Sequence, residues 1–86
     1  MLKEEFQKAT LEVNSLTTRP SNEDLLQLYS FYKQATDGDI TGEKPSGFDF
    51  KAIAKYSTWE KLKGMGAEEA MQKYIALVSQ LKEKLS

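Results

Sequence analysis

The sequence contains no cysteine and no histidine. Without cysteine no disulfide can staple the fold and no thiolate is on offer. Without either residue the chain lacks the two commonest nucleophilic and transition-metal-binding side chains. A zinc site of the usual kind, a cysteine or histidine nucleophile system and a Ser-His-Asp triad are excluded by composition. Proline is scarce, with two residues, so little interrupts helix formation. No apolar run approaches the ~20 residues that a membrane span needs. The start, Met1-Leu2-Lys3-Glu4-Glu5, carries two early acids and no apolar stretch of the signal-peptide kind. A cytoplasmic protein without a membrane span is the expectation.

What is present fits one small globular unit. With 86 residues there is room for a single domain, 1–86, around one core. Hydrophobic residues make up 40% and charged residues 29%, a balance that supports folding rather than disorder. The net charge of −1 hides an asymmetry. The first 50 residues hold five basic and nine acidic side chains, and the remainder seven and four. No long basic stripe runs along the chain, which argues against a nucleic-acid partner. An anion site has to be local, built from a few lysines.

Apolar spacing marks four helices and no strand, so the class is all-α. Leu2, Phe6, Ala9, Val13 and Leu16 step by three and four along a first helix that ends before Thr17-Thr18-Arg19-Pro20. Ser21 opens the second helix as its cap, with Asp24 in capping-box position, and the helix runs to Ala35 or Thr36. Residues 37–48 carry turn chemistry in Asp37-Gly38-Asp39, Thr41-Gly42 and Lys44-Pro45-Ser46-Gly47. The third helix is expected from Asp49 to about Lys63, with Phe50, Ile53, Ala54 and Ser57 as its small-to-apolar face. Gly64-Met65-Gly66 breaks it. The fourth begins at Ala67, with Met71, Tyr74, Val78, Leu81 and Leu85 as its stripe.

One constellation stands out. Tyr29, Tyr32 and Lys33 share a face of the second helix. The third helix adds Lys51 and Lys55, and the fourth adds Tyr74. Tyrosine offers a flat face for a base and a hydroxyl for a phosphate, and lysine offers a mobile point charge. Together they suit a nucleotide head. Spacing alone leaves the plain readings open: Tyr74 as core, the lysines as a solvated face, and Tyr29 and Tyr32 as amphipathic edges of the core. Tyr56 and Trp59 read as packing residues.

The run Tyr29-Ser30-Phe31-Tyr32-Lys33-Gln34-Ala35-Thr36-Asp37-Gly38-Asp39 resembles the signature of the acyl-CoA-binding protein family. Phe50-Lys51, Ala54-Lys55-Tyr56, Trp59 and the segment from Glu69 to Ile75 continue the resemblance, as do Phe6, Ala9 and Pro20. It covers essentially the whole chain. The resemblance implies a four-helix up-down-down-up bundle that carries medium- to long-chain fatty acyl-CoA esters inside the cell without catalysis and without a cofactor. It places Tyr29, Lys33 and Lys55 at the ribose 3′-phosphate and Tyr32 by the adenine. Tyr74 and Lys51 complete the head site, Ser30 and Phe31 lie within the binding run, and Leu26 and Ala9 line the acyl path. Asn14 stands where a basic residue is frequent in the family, and Tyr56 where a tryptophan is frequent. The implied partners are acyl-CoA-producing or acyl-CoA-consuming enzymes, met by a monomer. Two rival classes are an enzyme acting on CoA esters, for which no nucleophile–base pair is recognisable, and a bundle that docks a partner helix on Tyr29 and Tyr32.

Overall fold

A computed structural model describes residues 1–85 and contains four helices: α1 (Leu2–Val13), α2 (Asn22–Asp37), α3 (Phe50–Glu60) and α4 (Ala67–Leu85). The expected cap forms at α2, where the Ser21 hydroxyl accepts the Asp24 N–H at 3.1 Å. Asp49 does the same for α3, accepting from Ala52 N–H at 3.1 Å. Each satisfies one of the donors that a helix start leaves unpaired.

Two helices end earlier than the periodicity predicts. α1 stops at Val13 rather than Leu16. The Asn14 and Ser15 amides bond back only three residues, to Leu11 and Glu12, and the Ser15 hydroxyl donates to the same Glu12 carbonyl. Such local side-chain bonds compete with the helical ladder. Leu16 still packs against the core from beyond the helix end. α3 stops at Glu60, and residues 61–64 form a tight turn with Leu62 and Lys63 amides on the Trp59 and Glu60 carbonyls. Gly64 takes φ +93° there, a conformation that side-chain-bearing residues rarely adopt.

Contacts fix the topology. Phe6 meets Tyr74, while Glu12 pairs with Lys82 and Thr17 donates to the Leu85 carbonyl, so α1 and α4 run parallel. Phe6 meets Tyr32 late in α2, and Val13 lies with Leu25 near its start, so α2 runs against α1. Leu26 lies with Phe50, and Tyr29 and Lys33 both reach Trp59, so α3 runs alongside α2. The bundle is therefore up-down-down-up, and the irregular stretch after Asp37 is the crossover between the two parallel helices.

The buried apolar core comes from three helices. It comprises Phe6 and Ala9 of α1, Leu28 and Ala35 of α2, and Ala70, Tyr74, Val78 and Leu81 of α4. Among the helices α3 packs only on α2, and none of its residues is buried. On its small-to-apolar face Ile53, Ala54 and Ser57 are half-buried and Phe50 is 73% exposed. α3 is instead pinned at its far end by polar bonds. Gln34, 1% exposed, donates from Nε2 to Asp39 Oδ1 at 2.8 Å and to the Met65 carbonyl at 2.9 Å. Its Oε1 accepts from Trp59 Nε1 at 3.1 Å, and the same indole N–H reaches the Gly38 carbonyl at 3.1 Å. Asp39 Oδ1 also accepts the Gly64 N–H at 2.8 Å. Those two donors hold the Asp39 carboxyl below its ordinary value, the backbone N–H first. One amide side chain thus ties α2, the crossover, α3 and the turn into α4.

Candidate ligand-binding site

The outer face of α2 carries Tyr29, Tyr32 and Lys33, and α3 supplies partners for Tyr29 and Lys33. The Tyr29 and Trp59 rings meet edge to face, 6.4 Å between centroids and 86° between planes. Lys55 Nζ sits over the Tyr29 ring at 5.0 Å from its centroid, and Lys33 Nζ over the Trp59 ring at 5.2 Å. Each ring face attracts its cation and limits where the flexible stem places it. The structure thus seats one ammonium group on each ring of one aromatic pair. Lys33 is also paired with Asp37, one turn on, at 2.5 Å. That contact, the largest cause, raises the Lys33 pKa and lowers that of Asp37.

A second aromatic group lies toward α1 and α4. Tyr32 stacks on Phe6 at 5.8 Å with planes 25° apart, and tilts against Tyr74 at 6.3 Å. Phe6 and Tyr74 are each 5% exposed, whereas Tyr32 is 42% exposed. Tyr32 therefore has a rigid apolar backing and a free face, which is what stacking of a flat base requires. Burial pushes the Tyr74 phenol up from its ordinary value, which favours its neutral form.

Next to the cations runs an apolar groove of about 660 Å³ between α2 and α3. Leu25, Leu26, Tyr29, Phe50 and Ala54 line it, and Arg19, Asn22, Lys51 and Lys55 border it. Its position follows from the fold: α3 touches no helix but α2, so the space beside the two is left open. A smaller hollow of about 300 Å³ lies across Leu25 and Tyr29, among Val13, Asn14, Tyr32 and Tyr74. Tyr29 belongs to both concavities and joins the apolar groove to the aromatic platform.

The residues expected at a binding site are thus sorted by the fold. Tyr29, Lys51, Lys55 and Leu26 meet in the groove, and Tyr29, Tyr32, Tyr74 and Asn14 meet in the hollow. Lys33 lines neither concavity and sits over Trp59, whose ring meets that of Tyr29. Three further residues are not brought to either concavity. Ser30 is 1% exposed and donates to the Gln27 carbonyl at 3.0 Å. Phe31 lies with Ser30 on the far flank of α2 and packs against the core. A helix turns 100° per residue, so the two positions after Tyr29 point away from its face. Ala9 is 2% exposed in the core and does not line the groove, because the α1 stripe it belongs to is spent on packing. The side chain of Asn14 donates to the Thr10 carbonyl at 3.3 Å. Arg19 and Phe50 were not expected at the groove. Phe50 belongs to the apolar face of α3, and nothing in the spacing of Arg19 marks it. Trp59, read as packing, does pack and also forms the floor beneath Lys33.

Comparison with known proteins finds relatives along the whole chain. Residues 3–78 match the family described as Acyl CoA binding protein. An acyl-CoA-binding protein of Saccharomyces cerevisiae is 48% identical over 86 residues, covering 100% of this chain and 99% of its own. Acyl-CoA-binding domain-containing protein 6 of Arabidopsis thaliana is 49% identical over 82 residues, 95% of this chain and 89% of that one. The crystal structure of Oryza sativa acyl-CoA-binding protein 2 superposes with a TM-score of 0.91 at 42% identity, covering 98% of this chain and 93% of that chain. The fold and site define an all-helical ligand-binding bundle. The chain belongs to the acyl-CoA-binding protein family.

Proposed function

We propose that this protein binds fatty acyl-CoA esters in the α2–α3 face and carries them without chemical change. The observation that supports this most is the adjacency of three surfaces: the open apolar groove, the two ring-mounted ammonium groups and the exposed face of Tyr32. An acyl-CoA ester needs all three at once. Its acyl chain gains from leaving water, its phosphates seek charge-assisted donors, and its adenine seeks a flat apolar face. Leu25, Leu26, Phe50 and Ala54 serve the acyl chain. Lys33, Lys55 and the Tyr29 hydroxyl serve the 3′-phosphate, with Lys51 alongside. Tyr32, backed by Tyr74 and Phe6, serves the adenine. Catalysis is no part of this reading. The acyl chain length preferred, a cytoplasmic pool-forming role, the monomeric state and exchange with acyl-CoA-producing or -consuming enzymes are parts of the same proposal. Among the described residues no helix is long and apolar enough to cross a membrane.

Transfer of about twelve methylenes out of water contributes on the order of 10 kcal/mol gross, at about 0.8 kcal/mol each. Association and ordering offset several kcal/mol of this. The head and tail contributions predict a sharp preference for the whole ester. Calorimetric titration with palmitoyl-CoA, free CoA and palmitate tests it. One-to-one binding of the ester, at least ~100-fold tighter than either fragment, is expected. Lys55→Ala should weaken the ester about tenfold through loss of a charged donor. Equal affinity for free CoA and the ester would overturn the reading.

A further inference from the structure

The ion pair between Lys33 and Asp37 gives one side chain near the ammonium cluster a role of its own. Asp37 is the last residue of α2, at the negative end of the helix dipole, where a carboxylate is locally unfavourable. No basic residue lies in that last turn to offset it. Its compensating charge is Lys33, which it holds at 2.5 Å while remaining about half exposed itself. Lys33 has a second, independent anchor in the Trp59 ring face. Removing Asp37 therefore leaves the ammonium positioned and uncompensated.

We propose that Asp37 is a built-in competitor for the phosphate position: it occupies Lys33 in the empty protein, yields it to the incoming phosphate and reclaims it as the ester leaves. The proposal rests on the acyl-CoA reading and on Lys33 serving the phosphate. A phosphate beside Lys33 lies within a Debye length of the displaced carboxylate, about 10 Å at 0.1 M salt, so the two anions repel while the ligand is bound. The carboxylate thus limits residence time more than encounter, in line with the general pattern that binding differences lie in dissociation.

The test compares wild type with Asp37→Asn, an exposed change that keeps the shape and removes the charge. Stopped-flow dissociation and calorimetry are run with palmitoyl-CoA and with 3′-dephospho-palmitoyl-CoA, at low and at ~0.5 M salt. Asp37→Asn is expected to bind palmitoyl-CoA about two- to fivefold more tightly at low salt, chiefly through slower dissociation, as a screened charge pair allows. The dephospho ester should show no change, and the gain should vanish at high salt. Unchanged melting temperature within about 2 °C confirms that the variant is folded. If wild type binds the ester and Asp37→Asn binds it no more tightly at low salt, the competitor role is overturned while the carrier reading stands. An equal gain for the dephospho ester overturns it too. If wild type binds neither ester, the carrier reading falls and this inference with it.

Discussion

Gln34 is a polar side chain 1% exposed, with both ends of its amide occupied. Hydropathy places such a residue on the surface. Its burial is tolerable because each donor and acceptor finds a partner with good geometry. Gln34→Ala removes all three bonds, leaving the Met65 carbonyl and Asp39 each without one partner and Trp59 with only the Gly38 carbonyl. The expected loss is about 2–4 kcal/mol, read from urea unfolding. The same substitution loosens the Trp59 ring under Lys33, so ester affinity should fall as well, although Gln34 touches no groove. The shared signature run thus divides into two jobs. Tyr29, Tyr32 and Lys33 face outward, whereas Gln34, Gly38 and Asp39 fasten α3 and its following turn.

The helices themselves differ in how they are held. α1, α2 and α4 have apolar stripes that interlock, and their periodicity makes them legible in the sequence. So is the cap at Ser21. Replacing Ser21 with Ala removes the bond to Asp24 N–H and should lower stability by about 1 kcal/mol, measured by chemical denaturation. α3 was legible as a helix but not as an unburied one. Its apolar residues border a groove, and a sequence does not distinguish an apolar side chain packed by protein from one left for a ligand. Phe50 shows this most plainly, being 73% exposed at the mouth of the groove. The same blindness applies in reverse to Ala9, which a family pattern assigns to the acyl path and the packing assigns to the core. Where a helix ends was also hidden, because the Ser15 and Asn14 side chains choose between ladder and local bonds only in context.

Across the whole molecule the carboxylates set the response to acid. Asp39, held below its ordinary value by the Gly64 N–H and Gln34, and Glu12, held below it by Lys82, both favour the charged form when folded. A folded-state value below the unfolded one contributes stability that is present above about pH 4 and is lost as the pH falls through the folded value. Melting temperature should therefore decline from pH 5 toward pH 2. Asp39→Asn should melt lower at pH 7 and show a flatter acid limb. The Tyr74 phenol, raised by burial, acts at the other extreme. Its contribution is present below about pH 10 and is lost as the pH climbs through its raised folded value.

That α3 leans on no helix but α2 carries a further consequence. Buried apolar surface is what normally shields a helix from transient opening, and α3 has little of its own. On the proposed reading, an acyl chain lying between α2 and α3 would supply the missing wall, so cargo and helix would protect each other. Trypsin can report on this, because Lys51 and Lys55 both lie in α3 and both border the groove. Brief digestion should nick the empty protein within α3 while the loaded protein survives. The pattern of fragments would then count, in a mixed population, how many carriers are full.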